Sequence, residues 1–156
     1  MGKKFDCNSI VVFKLAGEIF GTFLQSVDEV LPMMKVEKVP RNPEFLEGLI
    51  NLRGESIAVV NLRHYFGHKR EDYFYETRIL VTRLEGRKLG FIVDSVSDVR
   101  SLDGTSIEEP VIHTAQTRFL RGVTHLEDDQ TVQLVAMDQI LDAESLEQLK
   151  KTSFDS

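Results

Sequence analysis

Residues 10–30 read IVVFKLAGEIFGTFLQSVDEV, and residues 79–99 read ILVTRLEGRKLGFIVDSVSDV. The two stretches align without a gap at an offset of 69 residues and are identical at eight positions. A second pair follows in the same order, because residues 45–48 read FLEG and residues 119–122 read FLRG. An internal repeat of this length predicts two copies of one small folding unit. Two packed units leave a groove between them, where ligands tend to bind.

Length and composition limit the possible classes of protein. A chain of 156 residues suits one domain or two small units with a shared core. The single cysteine, Cys7, cannot form an internal disulfide, and the N-terminus has no secretory segment, so we expect a cytoplasmic protein. The net charge of −6 disfavours a nucleic-acid partner. No apolar run approaches the ~20 residues needed to cross a bilayer.

Each copy is predicted to begin with a β-hairpin, turning at Gly17 in the first copy and at Gly86 in the second. A short helical turn is expected after each hairpin, at residues 26–30 and 95–99, because valines recur at i and i+3 behind a serine. Further predicted elements are strands at residues 34–39, 57–60 and 131–137, and a helix from Ala143 to about Lys151 capped by Asp142.

These elements predict an all-β fold of two packed five-stranded SH3-like barrels related by the internal repeat, with short helical turns and a C-terminal helix. The first copy spans about residues 9–67 and the second about 77–141, with exchange of strands between them left open. Residues 68–76 read as a linker, and residues 142–156 as the C-terminal helix and tail.

Motifs for chemistry are missing. The four histidines lie in no zinc-ligand pattern, and the sequence has no phosphate-binding glycine loop and no nucleophile elbow. Asp94 and Asp98 are better explained as a helix cap and a solvated side chain than as paired catalytic carboxylates. We therefore expect no catalytic residue, no metal site and no cofactor.

The most distinctive turn lies between two apolar strands. Asn51 suits a turn, since its side chain bonds the backbone and it tolerates a left-handed conformation. Gly54 is expected to be obligatory there, and Arg53 stands at the tip of the predicted hairpin.

Arg53 has a natural electrostatic partner in Glu29, whereas the repeat counterparts of these residues, Glu127 and Asp98, are both acidic. The pair could be an ordinary surface ion pair, worth about 0–1 kcal/mol. It could equally be a recognition pair at the groove, and the residues alone leave both interpretations open.

The sequence around this turn resembles the signature of CheW-like domains. Residues 48–54 read GLINLRG, with an apolar strand and Asn-Leu-Arg at 61–63 after them. Residues 27–30 (VDEV) and 90–99 (GFIVDSVSDV) resemble further landmarks of the family in the same order. The resemblance covers residues 9–141 as a single CheW-like domain, and it implies two five-stranded SH3-like barrels.

The resemblance implies a non-catalytic chemotaxis adaptor. Its partners would be the regulatory domain of a CheA-type histidine kinase and the cytoplasmic tip of a methyl-accepting chemoreceptor. We expect a cytoplasmic protein recruited to membrane-associated receptor arrays, without membrane insertion and monomeric when free.

The resemblance also implies site residues. The receptor contacts would be Leu24, Val27, Glu29, Val30, Arg53, Gly54, Leu89, Gly90 and Val96. The kinase contacts would include Glu37 and Val39, while Gly48 and Asn51 would shape turns.

Ala58 and Asn61 depart from the family's usual proline and aspartate, which suggests a diverged paralogue, for example one serving a type IV pilus. Two other interpretations stay open. The chain could be the regulatory domain of a CheA-type kinase or of a CheW–receiver fusion. It could also be a small-ligand-binding or enzymatic barrel.

Overall fold

The computed structural model describes residues 8–40, 43–69, 71–109 and 119–151. Eleven strands dominate it: β1 (Ser9–Leu15), β2 (Glu18–Phe23), β3 (Val27–Pro32), β4 (Leu46–Leu52), β5 (Glu55–Asn61), β6 (Arg78–Leu84), β7 (Arg87–Val93), β8 (Ser95–Ser101), β9 (Ile107–Glu108), β10 (Leu120–His125) and β11 (Thr131–Val135). The helices are α1 (Leu62–Tyr65), α2 (Ala143–Lys151), and 3₁₀ turns at Leu24–Ser26 and Met137–Gln139.

The strands form two sheets. Sheet I has the order β8-β1-β2-β11-β10-β9, and sheet II has the order β3-β6-β7-β5-β4. Each sheet combines the first hairpin of one copy with later strands of the other. The parallel contacts show this mixing, since β5 pairs with β7 and β11 pairs with β2. The all-β fold class is confirmed, and the arrangement is consistent with two SH3-like barrels.

The two sheets become equivalent when each strand is replaced by its counterpart in the repeat. The sixth strand of sheet I, β9, is an addition to the predicted five and contributes only two residues. Its counterpart in sheet II is a single bridge, in which Glu37 and Leu49 exchange two backbone hydrogen bonds of 2.8 Å. The strand expected at residues 34–39 is therefore wrong beyond this bridge.

The helical turns predicted at residues 26–30 and 95–99 are wrong as well, because these residues form strands β3 and β8. Each strand pairs with a hairpin of the other copy: Val27 faces Thr82, and Val96 faces Phe13. Tertiary pairing thus overrides the i, i+3 pattern of valines. The C-terminal helix is confirmed, and Asp142 caps it by accepting a 2.7 Å hydrogen bond from the Ser145 amide.

Gly48 lies inside β4 and not in a turn as expected. The register shifts between Leu46 and Gly48, which marks a β-bulge. Gly48 has a φ of +149°, and a Cβ there would lie 2.2 Å from the Glu37 carbonyl oxygen. Only glycine lets the Glu37 strand approach β4 this closely.

The buried hydrophobic residues in the described ranges form three clusters. One cluster fills sheet II around Ile50, Val59 and Ile79, and another fills sheet I around Ile10 and Val132. The largest, here called the central cluster, lies between the two and draws on both sheets; its buried members are Val11, Phe13, Leu15, Phe20, Phe45, Leu46, Ala58, Val60, Leu62, Leu80, Leu89, Phe91, Val93, Val135, Met137, Ile140, Leu141 and Leu149.

Candidate partner-binding site

The turn between β4 and β5 fixes Arg53 at an exposed tip. Arg53 and Gly54 both have left-handed backbones, with φ of +51° and +87°. This pair of angles is typical of a two-residue type I′ hairpin turn. The Asn51 Oδ1 accepts a 2.9 Å hydrogen bond from the Gly54 amide and closes the turn. Arg53 therefore occupies a conformation unusual for a residue with a side chain.

Arg53 donates a hydrogen bond from its guanidinium to the carboxylate of Glu29 on β3. The side chain of Arg53 is 67% exposed and that of Glu29 is 29% exposed. An ion pair this exposed contributes at most about 1 kcal/mol to stability. The β3 register shift between Val27 and Glu29 is a bulge beside this pair.

The second copy has its own ion pair at the equivalent place. Its hairpin loop is one residue longer, with Glu127, Asp128 and Asp129 between the paired residues Leu126 and Gln130. Arg100 on β8 lies 3.7 Å from Asp128 and 3.9 Å from Asp98. The sequence comparison, which matched only acids in this copy, missed Arg100. The sequence does indicate this contact, since Arg100 and Asp98 are two residues apart and thus share a face of a strand.

The apolar candidates differ in accessibility. Leu24, Val27 and Val96 are half-buried and pack against the central cluster, whereas Val30 is 41% exposed. Leu89 is only 5% exposed and belongs to the central cluster. Gly90 is also buried, and a Cβ there would lie 2.8 Å from the Ile79 Cγ2. Leu89 and Gly90 can therefore support a binding surface from below, but they offer little area to a partner.

The two kinase-contact candidates lie beyond β3. Glu37 has an exposed side chain, and its backbone is bonded to Leu49 of β4. Val39 is half-buried. Glu37 pairs with β4 on the side away from β5, at the margin of sheet II, and Val39 follows it two residues later in the chain.

Asp94 joins three parts of the chain that the sequence did not link. Its carboxylate accepts hydrogen bonds of 3.0 and 2.9 Å from the Arg63 guanidinium of α1 and one of 2.8 Å from the Ala16 amide in the first hairpin turn. The expected role of Asp94 as a helix cap is wrong, because a strand follows it. Its hydrogen bonds raise the pKa of Arg63 above the usual value.

The hydrogen bonds of Asn61 account for an asparagine at a position where the resemblance to CheW-like domains led us to expect an aspartate. Its Oδ1 accepts a 3.1 Å hydrogen bond from the His64 amide and caps α1, while its Nδ2 donates to Glu47 at 3.2 Å. An aspartate could make the first bond, but it would repel Glu47 in place of the second.

The described residues contain no group of three histidine, cysteine or acidic side chains placed to hold a metal ion. Within the same ranges, no helix is long and apolar enough to cross a membrane.

The fold and the polar turn beside half-buried valines define a two-sheet β protein with a candidate partner-binding surface. The family model for the CheW-like domain matches residues 9–145, and the chain belongs to this family.

Solved and curated relatives agree with the family match. The crystal structure of the scaffolding protein TtCheW from Thermoanaerobacter tengcongensis superposes with a TM-score of 0.80 and 33% identity, covering 94% of this chain and 97% of that one. A chemotaxis protein CheW from Klebsiella aerogenes is 29% identical over 87% of this chain and 82% of its own length. A chemotaxis protein CheW from Treponema pallidum is 30% identical over 73% of this chain and 71% of its own length.

Membership of this family of non-catalytic scaffold proteins confirms the prediction that the chain is not an enzyme. The chain is a chemotaxis scaffold, and the family implies that it interacts with chemotaxis signalling components.

Proposed function

We propose that this chain couples the cytoplasmic tip of a methyl-accepting chemoreceptor to the regulatory domain of a CheA-type histidine kinase, and so supports kinase activation. It would work in the cytoplasm at membrane-associated receptor arrays. The observation that carries the proposal is the charged tip at Arg53, paired with Glu29 beside the half-buried Val27 and the exposed Val30.

A receptor tip presented as a helix would bind by laying apolar side chains against these valines, as amphipathic helices do in hydrophobic grooves. The Arg53 guanidinium, 67% exposed, would add a directional contact at the rim, because its planar group can donate two parallel hydrogen bonds to a carboxylate. The kinase would contact the margin of sheet II near Glu37 and Val39.

The repeat supplies a matched pair of variants to test the receptor surface. Val30 and Val99 are counterparts in the repeat, both lie on strands at a sheet margin, and their exposures are 41% and 43%. We expect Val30→Asp to weaken binding of a receptor-tip fragment roughly tenfold or more, since a carboxylate would be desolvated against apolar partner groups. Val99→Asp should leave receptor affinity unchanged.

Both variants would be titrated by calorimetry against the receptor fragment and, separately, against the kinase regulatory domain. Kinase affinity should be unchanged in both. Equal losses in Val30→Asp and Val99→Asp, or a loss confined to kinase binding, would contradict the assignment of the receptor surface.

A further inference from the structure

Three consecutive aromatic residues are exposed in the segment between the two copies. Tyr73, Phe74 and Tyr75 are 39%, 64% and 89% exposed, and they make up half of the large hydrophobic residues exposed in the described part of the chain. Single exposed apolar residues are common on protein surfaces, but a contiguous patch marks an interaction site.

A turn holds the aromatic residues in place. The Phe74 amide donates a 2.9 Å hydrogen bond to the Thr77 Oγ1, and the Thr77 amide donates one of 3.0 Å to the Phe74 carbonyl. Thr77 itself is buried, and the Arg78 guanidinium donates to the Tyr75 carbonyl. The rings are therefore displayed on a fixed turn, which lowers the entropic cost of binding.

Tyr73 and Phe74 line a surface pocket of about 240 Å³, here called the linker pocket. Its lining includes Phe74 together with four carboxylates and two cations: Glu71, Asp72, Glu76, Asp94, Lys14 and Arg63. Arg63 forms two hydrogen bonds with Asp94 and lies 3.9 Å from Glu71. Because the four carboxylates outnumber the cations Lys14 and Arg63, the pocket carries a net negative charge, in contrast to the Arg53 tip.

We propose that the linker pocket, with its lining residue Phe74 and the exposed Tyr75 that follows it in the chain, forms a second protein-binding site, which takes a basic and apolar segment of a partner. An arginine side chain would enter between the carboxylates, and its guanidinium would stack on an aromatic ring. Leucine-like neighbours would cover the remaining aromatic surface. The same acids would repel nucleic-acid phosphates and anionic lipid headgroups, so the charge favours a protein partner.

The probe is a short blocked peptide of alternating leucine and arginine, titrated by calorimetry and mapped by amide chemical shifts on the full chain. We expect shifts at residues 71–77 and a loss of affinity of at least about tenfold in Phe74→Ser/Tyr75→Ser, given the size of cation–π contacts. Asp72→Lys/Glu76→Lys should weaken binding similarly. Val99→Ser and Glu144→Lys are controls for loss of exposed apolar area and for charge, and both should bind like the wild type.

Because Phe74 and Tyr75 are exposed, the ring variant should fold, and the charge variant tests the site independently of the rings. Equal binding of a leucine–glutamate peptide would overturn the proposal, as would unchanged affinity in both site variants. Ring-dependent binding to phosphatidylcholine vesicles without peptide binding would assign the surface to lipid and overturn it too. The proposal does not depend on the receptor surface, since Val30 and Arg53 are intact in every variant.

Discussion

The two copies of the repeat tie the same hairpin to the same edge strand with ion pairs of opposite polarity. In the first copy the cation, Arg53, stands on the hairpin turn and the carboxylate, Glu29, on the strand. In the second copy the carboxylate, Asp128, stands on the turn and the cation, Arg100, on the strand. The fold thus brings the turn and the strand together, but it does not dictate the sign of the charge that each carries. A positive tip in the first copy is therefore available for recognition.

The largest expected effect concerns the bulge in β4 at Gly48, which has a counterpart in β10 at Gly122. Gly48→Ala would force a left-handed φ on alanine and drive a Cβ to 2.2 Å from a backbone oxygen, so we expect a loss of about 3 kcal/mol or more in the free energy of unfolding. Urea denaturation of the variant and the wild type measures this difference in the free energy of unfolding.

Gly122→Ala is the matched control in the second copy. A Cβ at Gly122 would lie 2.6 Å from a side-chain methyl of the exposed Ile107, which can turn aside, and 2.9 Å from the Glu108 carbonyl oxygen, a milder backbone clash than the 2.2 Å at Gly48. We expect Gly122→Ala to destabilise the protein by at least about 1 kcal/mol less than Gly48→Ala, because only Gly48 is strained as well as crowded. Equal losses would mean that both bulges relax in the same way and that the backbone at Gly48 is not strained.

A smaller effect is expected at Asp94, which has no equivalent in the other copy, since its counterpart is Gln25 and that of Arg63 is Asp138. Asp94→Ala would leave the Arg63 guanidinium and the Ala16 amide without this acceptor. The side chains of Arg63 and Asp94 are both partly exposed to water. We therefore expect the free energy of unfolding, measured by urea denaturation, to fall by about 1–2 kcal/mol.

Asp98→Ala is the control for Asp94. Asp98 is exposed and lies 3.9 Å from Arg100, so its removal should change stability by less than about 0.5 kcal/mol. If the two variants unfold at the same urea concentration, the Asp94 cluster does not connect the copies energetically.

Much of the fold was predictable because the repeat carries its own signals. The glycine turns at Gly17 and Gly86 and the apolar run at residues 57–60 are local features that survive in the structure. The strands β3 and β8 were not predictable from local pattern, because their strand character comes from pairing with the hairpin of the other copy. Non-local pairing leaves no periodic trace in so short a segment.

The candidate site shows the same division. Arg53 could be placed on a hairpin tip, since Asn51 and Gly54 specify that turn locally. The burial of Leu89 and Gly90 could not be foreseen, because it depends on how β7 is covered between β5 and β6 in sheet II. Nor could the Asp94–Arg63 contact, which joins residues 31 positions apart.

Apart from the Asp98 control, the smallest effect on stability is expected when the first copy is given the polarity of the second, which is also the sharpest test of the comparison. Arg53→Glu should impair receptor-coupled kinase activation strongly, while changing the free energy of unfolding by no more than about 1 kcal/mol, because the pair is exposed. The double variant Glu29→Arg/Arg53→Glu restores an ion pair with the sign found at Asp128 and Arg100, so its stability should match the wild type. We expect kinase activation to stay low, since a partner that meets the guanidinium of Arg53 needs its positive charge and its pair of parallel N–H donors at the tip.

Restored activation in this double-mutant cycle would show that the pair only positions the turn. Wild-type activation in both single variants, Glu29→Arg and Arg53→Glu, would reduce the pair to ordinary surface charge, and the inverted polarity of the two copies would then carry no functional meaning.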